Sequence, residues 1–242
     1  MLRTVGAELL DELPAADPRA IRSRRDLQRI NIVMGHARVI AAVLGDLFPQ
    51  STHQLPLAPR TLVELGAGDG TLLLRVARRL GPRPPPMRAM LVDRQPQLSA
   101  QTRAEFAALG WHVESIQADV FDWLGRREAE TADVTVANLF LHHFTGASLP
   151  ALLDAAERQT RAFVACEPLR SPTALAGAAL LRLLGCSDVT LHDAKVSVRA
   201  GFRDNELSAL WPGRQGWRLA EWRPGPFTHA FHAAQVPEPT LD

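Results

Sequence analysis

From Thr61 to Cys166 the sequence alternates short apolar-rich runs with longer runs whose apolar positions recur every three or four residues. The short runs are Thr61–Leu65, Met87–Asp93, Trp111–Gln117, Asp133–Leu141 and Arg161–Cys166, which read as five strands. Between them, Gly70–Leu80 carries Leu72, Leu73, Leu74, Val76 and Leu80 and reads as a helix. Gln97–Leu109 reads as a second helix, stopped at Gly110, and a third follows strand four to about Thr160. The prolines of Pro82–Pro86 force a loop before strand two. Strands separated by helices predict a parallel sheet covered on both faces, with the loops that follow the strands gathered on one edge.

The flanks read differently. Upstream, Ile21–Phe48 holds Leu27, Ile30, Val33, Met34, Val39, Ile40, Val43 and Leu44 at mostly helical spacing, with Gly35 as the expected interruption. Pro49–Pro59 contains three prolines and predicts a linker. Residues 1–59 are therefore expected to form a helical N-terminal cap and linker, and residues 60–242 the α/β domain. Downstream, the stretch of about 168–203 breaks the alternation with a run, Thr173–Leu184, that is small or apolar except for Arg182. Asp204–Trp211 predicts a short helix. Trp217–Trp222 and Phe227–Gln235 predict an antiparallel hairpin at the sheet edge, with fraying after Val236.

The turn after strand one carries the chemistry. Val63-Glu64-Leu65-Gly66-Ala67-Gly68-Asp69-Gly70 ends a strand in an acid, passes through three glycines and opens onto a helix. Glycine supplies the positive φ angles of such a turn, and its missing β-carbon lets a ligand lie on the backbone. A dinucleotide loop wants Gly-x-Gly-x-x-Gly, but Thr71 stands in the sixth slot, which argues against NAD. No Lys-Ser/Thr pair follows, so this is not a P-loop. Glu64, Asp69, Asp93 and Asp119 place four acids at or just beyond strand ends, a site better suited to a cation than to a phosphate.

These residues resemble the class I S-adenosylmethionine (SAM)-dependent methyltransferases, over about residues 60–167. Glu64-Leu65-Gly66-Ala67-Gly68-Asp69-Gly70 looks like that family's first motif. Asp93, in Leu91-Val92-Asp93-Arg94, resembles the acid that binds both ribose hydroxyls, and Ala118-Asp119-Val120 resembles the loop that meets the adenine. The resemblance implies a Rossmann-like seven-stranded, mostly parallel sheet and SAM as cofactor. It implies cofactor contacts from Glu64, Gly66, Ala67, Gly68, Asp69, Gly70, Asp93, Arg94, Asp119, Val120 and Asn138. The alternatives are a non-catalytic SAM-binding protein and an NAD(P)-dependent oxidoreductase. RNA methylation is disfavoured because Asn138-Leu139-Phe140-Leu141 replaces the Asn/Asp-Pro-Pro-aromatic motif after strand four.

The acceptor side is expected where Asn138-Leu139-Phe140-Leu141-His142-His143-Phe144 leaves strand four, a segment similar to the same region of small-molecule methyltransferases such as those of quinone biosynthesis. His143 or His142 could take the proton of a phenol or hydroxyl during methylation. His192, beside Asp193, is a further candidate. Adjacent histidines on a helix or strand diverge, so no metal site is expected. Arg24, Arg25, Asn31 and His36 lie in the cap and could reach the cofactor edge. The Thr173–Leu184 run is expected to act as an apolar lid, implying a small aromatic or apolar acceptor methylated on oxygen or carbon. More weakly, Arg22–Arg38 and Glu167–Phe202 resemble methyltransferases associated with bacterial phenolic-lipid and polyketide clusters.

Bulk properties narrow the rest. A formal charge of +1 gives no reason to expect a nucleic-acid partner. Two distant cysteines make no disulfide framework and suit a reducing compartment, the stretch from Met1 to Asp17 does not read as a secretory signal, and a cytoplasmic protein is expected. No run of roughly 18 apolar residues is present, and Thr173–Leu184 lacks a basic flank that would argue for a membrane surface.

Overall fold

The computed structural model describes residues 1–14, 16–48, 59–81, 87–126 and 131–236. The loops expected within Pro49–Pro59 and Pro82–Pro86, and the end after Val236, lie outside these residues, Pro59 apart. The chain begins with a short helix α1 (Leu9–Glu12), followed by α2 (Pro18–Met34) and α3 (His36–Leu47). Asp17 caps α2 by accepting from Arg19 N–H, and Pro18 fills its first position. Gly35 ends α2 in the left-handed region (φ +70°), and the two axes meet at 55°.

Strands and helices then alternate as β1 (Arg60–Leu65), α4 (Thr71–Leu80), β2 (Met87–Asp93), α5 (Ala100–Ala108), β3 (Trp111–Gln117), α6 (Val120–Leu124), β4 (Val134–Asn138), α7 (Ser148–Glu157) and β5 (Ala162–Pro168). They are followed by α8 (Pro172–Leu180), α9 (Asp188–Ala200), α10 (Glu206–Leu210), β6 (Trp217–Trp222) and β7 (Thr228–Gln235). The seven strands form one sheet in the order β3-β2-β1-β4-β5-β7-β6. The first five are parallel; β7 runs antiparallel between β5 and β6 and closes the edge as the predicted hairpin.

Why the strands read as continuous apolar runs is visible in the core, which is split by the sheet. Leu62, Ala89, Leu91, Val134, Val136 and Val164 face α3, α4 and α5, burying Ile40, Leu44, Leu73, Val76 and Phe106. Val63, Leu65, Met90, Val92, Ala137 and Phe163 face the other way, against α6, α7 and α10 with Trp123, Leu152, Leu153 and Leu207. Successive residues of a strand point to opposite faces, and in the central strands β1, β4 and β5 both faces are largely buried. Each fully buried leucine contributes roughly 1.5–3 kcal/mol. No single helix among the described residues is long and apolar enough to cross a membrane.

Several sequence boundaries shift. Strand four ends at Asn138, not Leu141: Leu139 adopts φ +50° and Leu141–His143 forms a 3-10 turn. Glu167 is the reason, because its buried carboxylate draws the N–H groups of Phe140, Leu141 and His142 out of the strand path (3.0, 2.8 and 3.4 Å). The helix expected from Gln97 starts at Ala100, because Gln97 N–H is tied to Gly68 O and Ser99 caps the first turn. The stretch of about 168–203 folds into α8, a 3-10 turn at Leu181–Leu184, and α9, whose mixed pattern gave no helical signal.

Candidate active site

The strand order reverses between β1 and β4, so the crevice of this sheet opens beyond Leu65 and Asn138. A cavity of about 310 Å3 lies there. Glu64, Gly66, Ala67, Gly68, Asp69, Asp93, Arg94 and Asn138 line it, as do Arg24, Leu27, Gln28 and Asn31 from α2, which covers the strand ends. The glycine turn is held from below: Gly66 and Ala67 donate their N–H groups to Val92 O, and Gly70 N–H donates to Ala67 O. All three glycines have φ between +55° and +71°. A β-carbon on Gly66 would sit 2.3 Å from the Phe140 ring, whereas one on Gly68 would meet nothing within 4 Å. Gly68 is the point at which the bare backbone faces open cavity.

The acids of the turn are unequal. Asp93 Oδ2 accepts from Gly68 N–H at 2.9 Å and its Oδ1 from Gln95 N–H at 2.7 Å. Asp69 Oδ1 accepts from Thr71 N–H and Oγ1 at the start of α4. Glu64 is buried; desolvation first, then the charges of Asp69 and Asp93, raises its pKa to about 8. Three acceptor atoms of the cavity wall, Glu64 Oε2, Asn138 Oδ1 and Asn31 Oδ1, are buried with no hydrogen-bond partner. Orphaned acceptors of this kind call for a donor that a ligand would bring.

A second cavity, about 550 Å3 and mostly apolar, adjoins the first; Leu10, Asp11, Leu27 and Leu139 line both. Leu139, with its positive φ, stands at the junction, the kind of strained backbone that functional sites hold in place. His142 and His143 face the second cavity. His142 is buried between two carboxylates, with Nδ1 2.7 Å from Glu167 Oε2 and Nε2 3.3 Å from Glu8 Oε1. Burial works against its cation, but the hydrogen bonds to Glu167 and Glu8 prevail and raise its pKa to about 9. His143 keeps a side chain 30% exposed, with Nδ1 3.7 Å from Asp11 Oδ2. Burial, then the neighbouring His142 charge, lowers its pKa. One histidine is held charged and the other neutral.

Other expected residues fall elsewhere. Gly70 lies beneath the turn against Leu91 and Leu98. Asp119 and Val120 do not line either cavity; Asp119 caps α6 by accepting from Phe121 N–H. His192 is half exposed on α9 and also lies outside both cavities, while Asp193 beside it is buried and accepts from Leu9 and Leu10 N–H. His36 is buried against Thr228, and burial lowers its pKa to about 4. The two neighbouring histidines do not diverge as expected: the 3-10 turn brings their ring centroids to 4.3 Å.

Two residues of the site escaped the sequence reading. Glu167 was accessible, as an acid at the end of the fifth strand on the edge where such ends gather. Glu8 carried no local signal. It arrives through the N-terminal segment, which is stitched down by Thr4 N–H to Arg199 O and by Arg3 to the carbonyls of Ala200, His142 and Phe144.

Residues 62–162 match the family model of a methyltransferase domain. Among solved structures, the chain is similar to an O-methyltransferase family protein from Burkholderia thailandensis, with 21% identity, TM-score 0.61, and coverage of 93% of this chain and 62% of that one. It is similar to N,N-8-amino-8-demethyl-D-riboflavin dimethyltransferase from Streptomyces davawensis at 17% identity and TM-score 0.55, covering 95% of this chain and 62% of that one. It is also similar to magnesium protoporphyrin IX methyltransferase from Synechocystis PCC 6803 with bound SAH, at 11% identity and TM-score 0.56, covering 92% and 96%. The chain thus spans 62% of the length of the first two of these structures. No curated protein sequence matches it.

Proposed function

We propose that this chain, whose residues 62–162 match the model of a methyltransferase domain, is a class I SAM-dependent methyltransferase that methylates a hydroxyl of a small, phenol-like apolar acceptor. The observation that carries the reading is the open Gly68 backbone beside three unpartnered buried acceptors, joined at Leu139 to an apolar cavity that holds a neutral histidine. Glu64, Asn138 and Asn31 offer oxygen atoms to a cationic ligand, and Asp93 offers its carboxylate to a sugar. SAM fits such a wall, and when bound it supplies an electrophilic methyl group.

The chain's own part is to hold the acceptor and manage one proton. The apolar wall of Leu27, Ile30, Met34, Ala178, Val198 and Phe227 excludes water and selects an apolar body. Orientation of two reactants can supply roughly 7–11 kcal/mol of barrier reduction. His143, kept neutral, accepts the hydroxyl proton. His142 cannot accept one near neutral pH, because Glu8 and Glu167 already hold it protonated.

Parallel titrations with SAM and NADH, followed by a labelled-methyl assay over a panel of phenols, test this reading. SAM should bind, NADH should not, and label should reach oxygen. NADH binding alone would make the protein an oxidoreductase, and SAM binding without transfer would make it a binding protein. His143→Ala should lower turnover by about 100-fold while the SAM dissociation constant changes little; full activity would move the base elsewhere. Glu64 gives a separate test. A cation beside it favours the carboxylate, so SAM binding at pH 7 should release a proton, seen calorimetrically as a buffer-dependent heat, and Glu64→Gln should remove that dependence.

A further inference from the structure

The geometry points to a membrane-docking face: the mouth of the apolar cavity, formed by α2 and the Leu180–Leu184 turn, sits on an anionic lipid surface. Its rim is the first observation. Val33, Leu180, Leu183 and Leu184 line the cavity, yet they are 79%, 58%, 81% and 71% exposed, so they form an outward lip. Ile32, 59% exposed, extends that lip along α2.

The second observation is charge. Arg22, Arg25 and Arg29 precede Ile32 and Val33 at spacings of three and four residues, which puts all five on one side of α2. All five are exposed. Arg22 Nη2 donates to Gly185 O at 3.2 Å, fixing this basic stripe beside Leu183 and Leu184, and Arg182 adds a further exposed guanidinium on the turn itself. The acid within the stripe, Asp26, is buried and accepts from Ser187 N–H and Thr190 Oγ1; it reaches Arg29 only at 3.7 Å. The basic flank missing from the Thr173–Leu184 run is therefore supplied by another helix.

Exposed leucines bordered by arginines fit the boundary between acyl chains and anionic headgroups, where leucine leaves water and guanidinium meets phosphate. A second copy of the chain fits less well, since a two-fold contact lip to lip would set the same basic stripe against itself. Because the cavity opens at this lip, an apolar acceptor would pass from lipid to the site without crossing water. Docking stands on the rim and the stripe, independently of which group is methylated.

Sedimentation of the full chain with vesicles tests it, using phosphatidylcholine alone and phosphatidylcholine mixed with phosphatidylglycerol. The mixed vesicles should carry down at least about tenfold more protein, given on the order of fivefold per arginine, and added salt should reverse the gain. Leu183→Asp with Leu184→Asp should abolish binding to both vesicles, and Arg22→Glu with Arg25→Glu should remove the anionic preference. Unchanged melting temperature and SAM affinity would show that the variants are folded. The proposal is overturned if wild-type protein ignores both vesicles, if all variants partition alike, or if the lip instead closes a dimer that Leu183→Asp dissociates.

Discussion

Gly68→Val should lose SAM binding by at least a hundredfold while the protein remains folded. Beyond its own chain neighbours, a β-carbon at this position meets nothing within 4 Å, so packing is not what valine disturbs. Its branched side chain would instead project into the 310 Å3 cavity and occupy the space beside Glu64 and Asp93. The φ of +55° adds backbone strain of roughly 1–2 kcal/mol, enough to lower the melting temperature by a few degrees. Gly66→Val is the contrast, because its β-carbon would strike the Phe140 ring and disturb the fold as well. Calorimetric titration with SAM and a thermal melt of each variant separate the two effects. Unaltered SAM affinity in Gly68→Val would show that the cofactor does not rest on this turn.

Glu167→Ala should be the most destabilising single change at the site, with turnover lost alongside stability. Its carboxylate accepts from three consecutive backbone N–H groups and from the His142 ring. Removing it leaves Nδ1 of a buried imidazolium and three backbone amides unpaired, with only Glu8 still facing the ring, a cost of about 3–5 kcal/mol, which lowers the melting temperature by on the order of 10 °C. The pH dependence has a definite sign. The pKa of His142 is raised from 6.5 to about 9, so its pairing stabilises the fold fully below 6.5 and fades as pH rises through about 9. Glu167 is depressed: burial opposes its charge, but the His142 hydrogen bond and charge outweigh it. Its contribution is present above the unfolded value of 4.5 and fades in stronger acid. Wild-type melting temperature should therefore fall between pH 6.5 and 9, and Glu167→Gln should flatten that limb. Identical profiles would remove the ion pair from the account.

The α/β alternation was legible because each buried strand must be apolar on both faces and each covering helix on one. β2, β3 and β6 begin and end at the expected residues. The glycine turn was equally legible, since a strand-to-helix bend open to a ligand restricts the residue type at each position. What failed was local reading where a distant group set the conformation. Leu139 to His143 leaves the strand because Glu167, from another strand, captures its amides. α9 escaped because its apolar positions serve several neighbours rather than one face.

By itself, then, the order of residues determined the layered sheet, the glycine turn and the acids around it, because each answers to a rule acting over a few neighbouring positions. Only tertiary structure decided which histidine is charged, since that depends on Glu8 and Glu167 converging on His142 from 134 and 25 positions away. It also decided that the arginines of α2 border the leucines of the Leu180–Leu184 turn. Burial and charge pairing act through space, and the spacing of residues along a chain carries no record of partners that only the fold brings together.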